Sequence, residues 1–266
     1  MTYIDLGKYL AFAEKLAECA REVLAHEQAH AVRANGDIEV KADKSLVTKF
    51  DRAIEKRLRE EILREYPEHG IIGEEYGRHN DGASHLWILD PIDGTAPFIV
   101  GLPVWGSLIA LAVDGIPLVG VIDQPSIDAR FTGAAGEASR LNGQVIRCRE
   151  NHSLDRCLMT NSNQDYMSAE ELPALDAMRK ATANRVYGGA CLNYGRLAEG
   201  RSDIAMDAGQ QVYDFAPFRP IVEGAGGVIT DWHGAPLTLE SKGTILGAGS
   251  ARCHGQALDV IASALS

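Results

Sequence analysis

The sequence predicts a mixed α/β fold in two halves, an α+β half over residues 1–150 and an α/β half over residues 151–266. In the first half, two segments have apolar residues at helical spacing, and strand-like segments separated by turn residues follow them. In the second half, strand-like and helix-like segments alternate, which is typical of a sheet covered by helices. The chain has 266 residues, 45% of them hydrophobic, which is enough to bury the core of one large domain or of two.

The two helices of the first half are predicted from amphipathic patterns. Apolar residues recur at helical spacing from Leu6 to Leu24, so we expect a first helix with one face on the core. A turn at Gly36-Asp37 and an extended segment from Glu39 to Val47 follow. A second helix then begins at Thr48-Lys49-Phe50-Asp51, a capping box with aspartate in place of glutamate, and it ends at Tyr66-Pro67.

Strands and turns occupy most of the remaining first half. Gly70 to Gly73 is predicted to be a short strand that ends at two glutamates. A polar loop from His79 to His85 is expected to be mobile and to lie at the rim of the site. Trp105 to Val113 and Ile116 to Ile122 are predicted to form a hairpin, because the Asp114-Gly115 pair between them is a strong turn signal.

The stretch WILDPIDGTAPF, from Trp87 to Phe98, carries the clearest functional signal. Its apolar start predicts a buried strand that leads into Asp90, and a tight turn then holds Asp93 close by. Mg²⁺ takes oxygen ligands of this kind, together with water and substrate phosphate oxygens. The amides of Gly94 and Thr95 would favour a phosphate if a helix begins there. Most Asp-x-x-Asp pairs are solvated turns, but the strand and the fixed order of glycine and threonine favour a metal site.

In the second half, predicted strands and helices alternate as far as Met206. A longer helix is expected to begin at Tyr213-Asp214, with Asp214 as its N-cap, and to run toward Gly226-Gly227 with a kink at Pro220. The alternating elements are strands at Cys157–Thr160, Arg185–Tyr187 and Asp203–Met206 and helices at Ala169–Lys180 and Ala190–Glu199.

Composition and charge exclude several classes of function. The chain has 26 basic and 37 acidic residues, a net charge of −11, so it is a poor candidate for binding nucleic acid or an anionic membrane. Its five cysteines are scattered and form no Cys-x-x-Cys, which argues against a disulfide framework or a zinc site and favours the cytoplasm. The N-terminal residues do not resemble a signal peptide, and no apolar run approaches membrane-spanning length. We therefore expect no nucleic acid and no membrane among its partners.

The segment Asp90-Pro91-Ile92-Asp93-Gly94-Thr95 resembles the signature of the inositol monophosphatase family of metal-dependent phosphomonoesterases. Other motifs similar to those of the family occur in order over nearly the whole chain: Gly73-Glu74-Glu75, Gly188 to Asn193, and Tyr213 to Gly227. The resemblance implies a layered αβαβα sandwich of the inositol monophosphatase and fructose-bisphosphatase type. It also implies two or three Mg²⁺ ions, a homodimer and inhibition by lithium.

The resemblance also implies the roles of individual residues. The expected reaction is direct attack of a metal-activated water on phosphorus, with Thr95 and either Asp51 or Glu74 orienting the water and a second metal stabilising the leaving alkoxide. Several carboxylates in one cleft raise each other's pKa unless cations neutralise them. The implied metal ligands are Glu74, Asp90, Asp93, Asp214 and the backbone carbonyl of Ile92, and the implied phosphate and substrate positions are Gly94, Thr95, Lys41, Ala190 and Asp207.

The substrate stays open between two alcohol phosphates. Segments such as Ser107 to Leu111 and Gly120 to Pro125 most resemble the histidinol-phosphatase branch of the family, which implies L-histidinol phosphate. Ala190, however, stands where that branch carries an aspartate, and Ala96-Pro97 replaces its basic or polar pair, which leaves myo-inositol monophosphate open. The alternatives are a bisphosphate nucleotidase or fructose-bisphosphatase-like activity, or a regulatory binding dimer with slack catalysis.

Overall fold

The structure is a computed structural model, and it describes residues 4–26, 38–41 and 46–266. No helix in these ranges is long and apolar enough to cross a membrane. The helices are α1 (Leu6–His26), α2 (Lys49–Glu65), α3 (Thr95–Val100), α4 (Leu172–Ala181), α5 (Leu192–Ala198), α6 (Val212–Phe215), α7 (Phe218–Gly224) and α8 (Ala251–Leu265). The strands are β1 (Ile38–Val40), β2 (Leu46–Thr48), β3 (Gly70–Gly73), β4 (Gly77–His79), β5 (His85–Asp93), β6 (Gly106–Val113), β7 (Ile116–Gln124), β8 (Ala129–Ala134), β9 (Arg140–Leu141), β10 (Gln144–Val145), β11 (Leu158–Asn161), β12 (Asn184–Tyr187), β13 (Ile204–Asp207), β14 (Val228–Thr230) and β15 (Ile245–Ala248).

Two sheets organise the described chain. The large sheet has eight strands in the order β10-β9-β8-β7-β6-β5-β3-β4, and its only parallel neighbours among the described strands are β3 and β5. The small sheet has five strands in the order β12-β11-β13-β15-β14. Strand β11 is parallel to both of its neighbours, whereas β15 is antiparallel to both of its own. The separate strands β1 and β2 pair as a short antiparallel hairpin.

Helices lie on both outer sides of the two sheets and between them. Helices α1 and α2 cover one face of the large sheet, where a core cluster includes Trp87, Ile109 and Val121. Helices α5 and α7 lie between the sheets and pack on strands of both. Helices α4 and α8 cover the outer face of the small sheet, around Met159 and Met206. The layers therefore run αβαβα, which confirms the predicted sandwich.

Local sequence signals place several elements of the first half correctly. The predicted 105–122 hairpin forms as β6 and β7, and Asp114 and Gly115 have φ values of 49° and 79°, as a tight primed turn requires. The capping box also forms, since the Thr48 N–H donates to Asp51 Oδ2 at 2.8 Å. The segment predicted as extended from Glu39 to Val47 contributes to the two strands of the β1–β2 hairpin. The predicted turn at Gly36-Asp37 lies outside the described residues.

The loop between β4 and β5 lies far from the position that we predicted. Because β3 and β5 are parallel, the connection between them must return the chain to the amino end of β5. The loop therefore meets β5 at His85, whereas Asp90 and Asp93 lie at the other end of that strand. The prediction that it forms the rim of the site is wrong.

The helix predicted from Tyr213 to Gly226 is two helices. Helix α6 ends at Phe215, and Pro217 is the N-cap residue of α7, so the break lies at Pro217. Pro220 falls in the first turn of α7, where a backbone N–H has no acceptor within the helix, so its ring is tolerated. The prediction that Pro220 kinks a continuous helix is wrong.

The chain passes from the large sheet to the small one between Val145 and Leu158. We keep residue 150, which lies in this connection, as the proposed boundary between the two halves. The halves are not separate in their packing, since one core cluster combines Leu108 and Phe131 of the large sheet with Ile245 of the small sheet.

The close approach of α7 to the large sheet gives a stability prediction. A Cβ atom added at Gly120 would lie 2.3 Å from the Pro217 carbonyl oxygen, so Gly120→Ala must push the layers apart. We expect the free energy of unfolding to fall by about 1–3 kcal/mol, as in other overpacked cores. Urea denaturation measures this change. Gly82→Ala is the matched control, because nothing lies within 4 Å of its added Cβ. Equal stabilities of the two variants would contradict the packing described here.

Candidate active site

A bulge at the end of β5 brings two carboxylates to the same side of the large sheet. Residues three apart in a regular strand point to opposite faces. Here Asp90 pairs with Leu108 and Asp93 with Gly106, so β5 has one residue more than β6 between these pairs. The extra residue restores a common direction for the two aspartates. The bulge is held by Ser107, whose hydroxyl donates to the Pro91 carbonyl at 2.6 Å.

A third carboxylate comes from the second half of the chain. One oxygen each of Asp90, Asp93 and Asp214 lie within 4.8 Å of one another, and we call these residues the three-carboxylate cluster. Asp214 lies in the first turn of α6, where its Oδ2 accepts the N–H of Gln211 at 2.6 Å. Gln211 is the N-cap residue, and Asp214 accepts its N–H from the third position of the helix. The prediction that Asp214 is the N-cap is wrong.

A backbone hydrogen bond ties the two halves together at the cluster. The N–H of Cys191 donates to Asp93 Oδ2 at 2.6 Å. The preceding residue, Ala190, has a φ of 45°, which is a left-handed backbone conformation that residues other than glycine rarely adopt. A Cβ atom added at Gly94, whose φ is 82°, would lie 3.2 Å from the Ala190 Cβ. The structure thus brings the predicted phosphate position Gly94 against the predicted substrate position Ala190.

Burial and neighbouring charges disfavour the charged forms of the cluster carboxylates. Burial raises the pKa of Asp90 well above its usual range, and the charges of Glu74, Asp93 and Asp214 raise this pKa further. Burial also raises the pKa values of Asp93 and Asp214. Asp90 Oδ1 is buried and has no hydrogen-bond partner among the described residues. A group of hard oxygen donors with an unpaired buried oxygen fits a divalent cation such as Mg²⁺.

Glu74 lies beside the cluster, at the end of β3. Its N–H donates to the Leu89 carbonyl at 3.2 Å, which continues the pairing of β3 with β5 and places it next to Asp90. The ammonium of Lys41 is 3.1 Å from Glu74 Oε1 and 2.6 Å from Glu75 Oε1. Burial raises the pKa of Glu74, and Lys41 offsets only part of this rise. Lys41 therefore neutralises one side of the acidic group.

Asp51 and Thr95 occupy the starts of two helices at the site. Asp51 Oδ2 serves the capping box of α2, whereas its buried Oδ1 has no partner in the described part of the chain. Burial raises the pKa of Asp51 to about 7, and the charges of Glu74 and Glu75 act in the same direction. Thr95 is the first residue of α3, and its hydroxyl donates to the Ile92 carbonyl at 3.1 Å. The structural role of Asp51 is therefore compatible with a role in the site.

Asp207 is buried beneath the loop that contains Ala190. Its Oδ1 accepts the N–H of Ser162 at 2.7 Å and the amide of Asn161 at 3.0 Å. The Ser162 hydroxyl lies 3.1 Å from Asp207 Oδ2 and 3.4 Å from the Ala190 carbonyl. Burial raises the pKa of Asp207 to about 7. Asp207 thus supports the Ala190 loop through Ser162, and contact with a substrate stays a prediction.

Sequence reasoning missed three contributors to the site. Cys191 acts through its backbone N–H, which leaves no signature in residue type. Ser162 is an ordinary serine after a strand, and only the parallel pairing of β11 and β13 brings it to Asp207. Glu75 was left without a role, although its carboxylate makes the shorter of the two contacts with Lys41.

Comparisons with known proteins identify the family of the chain. A family model described as the inositol monophosphatase family matches residues 5–266. The chain is 35% identical over 264 residues to the chloroplastic bifunctional phosphatase IMPL2 of Arabidopsis thaliana, and the alignment covers 96% of this chain and 75% of that protein. It is 33% identical over 247 residues to the histidinol-phosphatase of Mycobacterium tuberculosis, and that alignment covers 88% of this chain and 90% of that protein.

A solved structure extends the agreement to the fold. An inositol monophosphatase from Zymomonas mobilis superposes with a TM-score of 0.87 and 36% identity, covering 98% of this chain and 100% of that one. The predicted family and enzyme class are thereby confirmed. The chain belongs to the inositol monophosphatase family, and its homologues include named phosphomonoesterases.

Proposed function

We propose that this chain is a Mg²⁺-dependent phosphomonoesterase that hydrolyses a small alcohol monophosphate. The observation that carries the proposal is the three-carboxylate cluster, whose members Asp90, Asp93 and Asp214 have ligand oxygens within 4.8 Å of one another. A purely structural group of buried acids would be paired with basic side chains or hydrogen-bonded throughout. Asp90 Oδ1 instead has no hydrogen-bond partner among the described residues.

In this proposal the cluster, Glu74 and the Ile92 carbonyl would hold two or three Mg²⁺ ions. When bound, such ions lower the pKa of water and neutralise the charge on the reacting phosphate and the leaving oxygen. Thr95 and Asp51 orient the attacking water, and the raised pKa of Asp51, about 7, suits a group that accepts a proton near neutral pH. The backbone at Gly94 and Thr95, where α3 begins, binds the phosphate group.

For the alcohol we place L-histidinol phosphate first and myo-inositol monophosphate second. The segments Ser107 to Leu111 and Gly120 to Pro125, which resemble the histidinol-phosphatase branch, support the first choice. The relative named histidinol-phosphatase, with 33% identity, supports the same choice. Ala190 and the 36% identity to an inositol monophosphatase support the second substrate.

Phosphate release in the presence of Mg²⁺ tests this order. The substrates are L-histidinol phosphate, myo-inositol 1-phosphate, fructose 1,6-bisphosphate and 3′-phosphoadenosine 5′-phosphate. The highest kcat/KM is expected for L-histidinol phosphate. A preference for inositol phosphate reverses our order, and a preference for either bisphosphate supports the alternative activities. No release from any of them, by protein that binds Mg²⁺, favours a regulatory binding protein.

The family resemblance also implies a homodimer, and the scattered cysteines favour the cytoplasm, and both remain proposals. Light scattering coupled to size-exclusion chromatography measures the mass in solution, and a monomeric mass would contradict the proposed dimer.

The role of Asp93 gives a prediction about activity. Asp93→Asn removes the charge of one cluster carboxylate but keeps an oxygen that can accept the Cys191 N–H. We expect the variant to keep its fold and to lose nearly all Mg²⁺-dependent hydrolysis, by about 100-fold or more in kcat, the scale of other lost electrostatic contacts to a transition state. Asp114→Asn, in the exposed β6–β7 turn, is the matched control. Wild-type activity in Asp93→Asn would mean that the metal assignment is wrong.

The raised pKa values predict how stability depends on pH. The acids of the site bind protons more tightly in the folded protein than in the unfolded chain, where aspartate has its ordinary value of 3.8. Their stabilising effect is therefore present below about pH 4 and is lost as the pH rises through the folded-state values, about 7 for Asp51. Mg²⁺ binds the deprotonated groups, so it restores more stability at higher pH.

We therefore expect the Tm increase caused by saturating Mg²⁺ to be small near pH 5 and to grow toward pH 8. Differential scanning fluorimetry with and without EDTA measures the increase. Asp93→Asn is expected to reduce it at every pH, whereas Asp114→Asn is not. An increase of the same size at both ends of this pH range would show that the cluster does not titrate as described.

A further inference from the structure

Besides Asp51, helix α2 carries the buried acid Glu55, which no step of the proposed reaction uses. Glu55 lies one turn after Asp51 and is 0% exposed. Its Oε2 accepts the N–H of Glu75 at 2.7 Å, and its Oε1 accepts the N–H of Tyr76 at 3.1 Å. Its Oε1 also accepts the Nε–H of Arg59 at 2.7 Å. One buried carboxylate thus binds the backbone of the turn between β3 and β4.

The fit between Glu55 and this turn is close. A Cβ atom added at Gly73 would lie 2.0 Å from Glu55 Oε1, so the carboxylate lies directly against the backbone where the turn begins. Where the turn ends, Gly77 has a φ of 66°, and its carbonyl accepts a hydrogen bond from Arg59. The Glu55–Arg59 pair therefore holds both the N–H groups and a carbonyl of the same turn.

This turn carries Glu74, the only proposed metal ligand among the described side chains that comes from neither β5 nor α6. Residues four apart in a helix lie on the same face, so Asp51 and Glu55 face the same side of α2. Asp51 is fixed at the first turn of the helix by its capping box. The rigid helix therefore sets the position of Asp51 and, through Glu55, the position of the turn with Glu74.

We propose that Glu55 is a positioning residue that holds the Glu74 turn at the metal site and so sets the affinity for Mg²⁺. This inference rests on the proposed function, because it requires Glu74 to be a metal ligand. Glu55 itself uses its two oxygens on backbone and arginine donors, so it is not among the residues proposed to hold metal or substrate. A carboxylate is needed here, since a glutamine would turn an NH₂ donor toward other donors.

The alternative explanation is that Glu55 and Arg59 form a buried ion pair that only stabilises the fold. Helix α2 offers a matched control for this possibility. Glu61 is 1% exposed and forms ion pairs with Lys15, Arg57 and Arg64, none of which lies in the β3–β4 turn. Glu55→Gln and Glu61→Gln each remove one buried charge from the same helix, and only Glu55→Gln releases the turn.

The experiment measures Mg²⁺ binding by isothermal titration calorimetry and the Mg²⁺ dependence of phosphate release for both variants. For Glu55→Gln we expect the Kd for Mg²⁺ and the half-saturating Mg²⁺ concentration to rise about 10-fold or more, the scale seen when a residue that supports a metal ligand is replaced. At saturating Mg²⁺, kcat should recover most of the wild-type value. Glu61→Gln should keep the wild-type Kd whatever its Tm. An unchanged Kd in Glu55→Gln, or an equal rise in Glu61→Gln, would overturn the proposal.

Hydrogen exchange of the metal-free protein separates this inference from the proposed function. The amides of Glu75 and Tyr76 should exchange faster in Glu55→Gln than in the wild type, and at the wild-type rate in Glu61→Gln. Unchanged exchange of these amides would overturn the positioning role even if the enzyme hydrolyses phosphate esters. If the wild type releases no phosphate, the proposed function fails, and exchange and Mg²⁺ binding still decide the role of Glu55. Should Glu55→Gln not fold, Glu55→Asp, which keeps the charge but shortens the reach, is expected to weaken Mg²⁺ binding in the same direction.

Discussion

The mutual repulsion of one buried and two partly buried carboxylates at the end of β5 is the constraint on which the rest of the structure depends. Asp90, Asp93 and Asp214 would separate if nothing held them, since burial and their neighbours disfavour their charged forms. The fold holds two of them with backbone donors, from Cys191 to Asp93 and from Gln211 to Asp214. These donors fix the side chains without neutralising them. The charge that remains favours the binding of a cation, because a cation would relieve the repulsion between the carboxylates.

Helix starts and turns supply most of the fixed geometry around this charge. Asp51 and Asp214 each lie in the first turn of a helix and accept the N–H of the N-cap residue. Glu74 lies in a turn whose next two N–H groups are bound by Glu55. Backbone N–H groups of this kind have no partner inside the helix or strand pairing. The same carboxylates that carry the proposed chemistry, or their neighbours, thus satisfy the main chain.

The sequence was sufficient where the signal is local or where a family motif is present. The capping box at Thr48, the Asp114-Gly115 turn and the DPIDGT segment were predicted from short stretches, and the layered sandwich came from the resemblance. The β5 bulge was not predicted, because its extra residue exists only relative to the pairing with β6. The break at Pro217 and the position of the β4–β5 loop also depend on distant packing. The Cys191 contact could not be predicted, because any residue except proline offers the same N–H.

The hydrogen bond between Cys191 and Asp93 joins residues 98 positions apart, and Asp214 lies further along the chain. During synthesis from the amino end, Asp90 and Asp93 leave the ribosome long before either partner exists. A chain whose second half is still missing lacks both the donor that fixes Asp93 and the third carboxylate of the cluster. In the proposed enzyme, capture of a metal ion would therefore be a late event in biogenesis, because the complete site exists only after both halves have been synthesised.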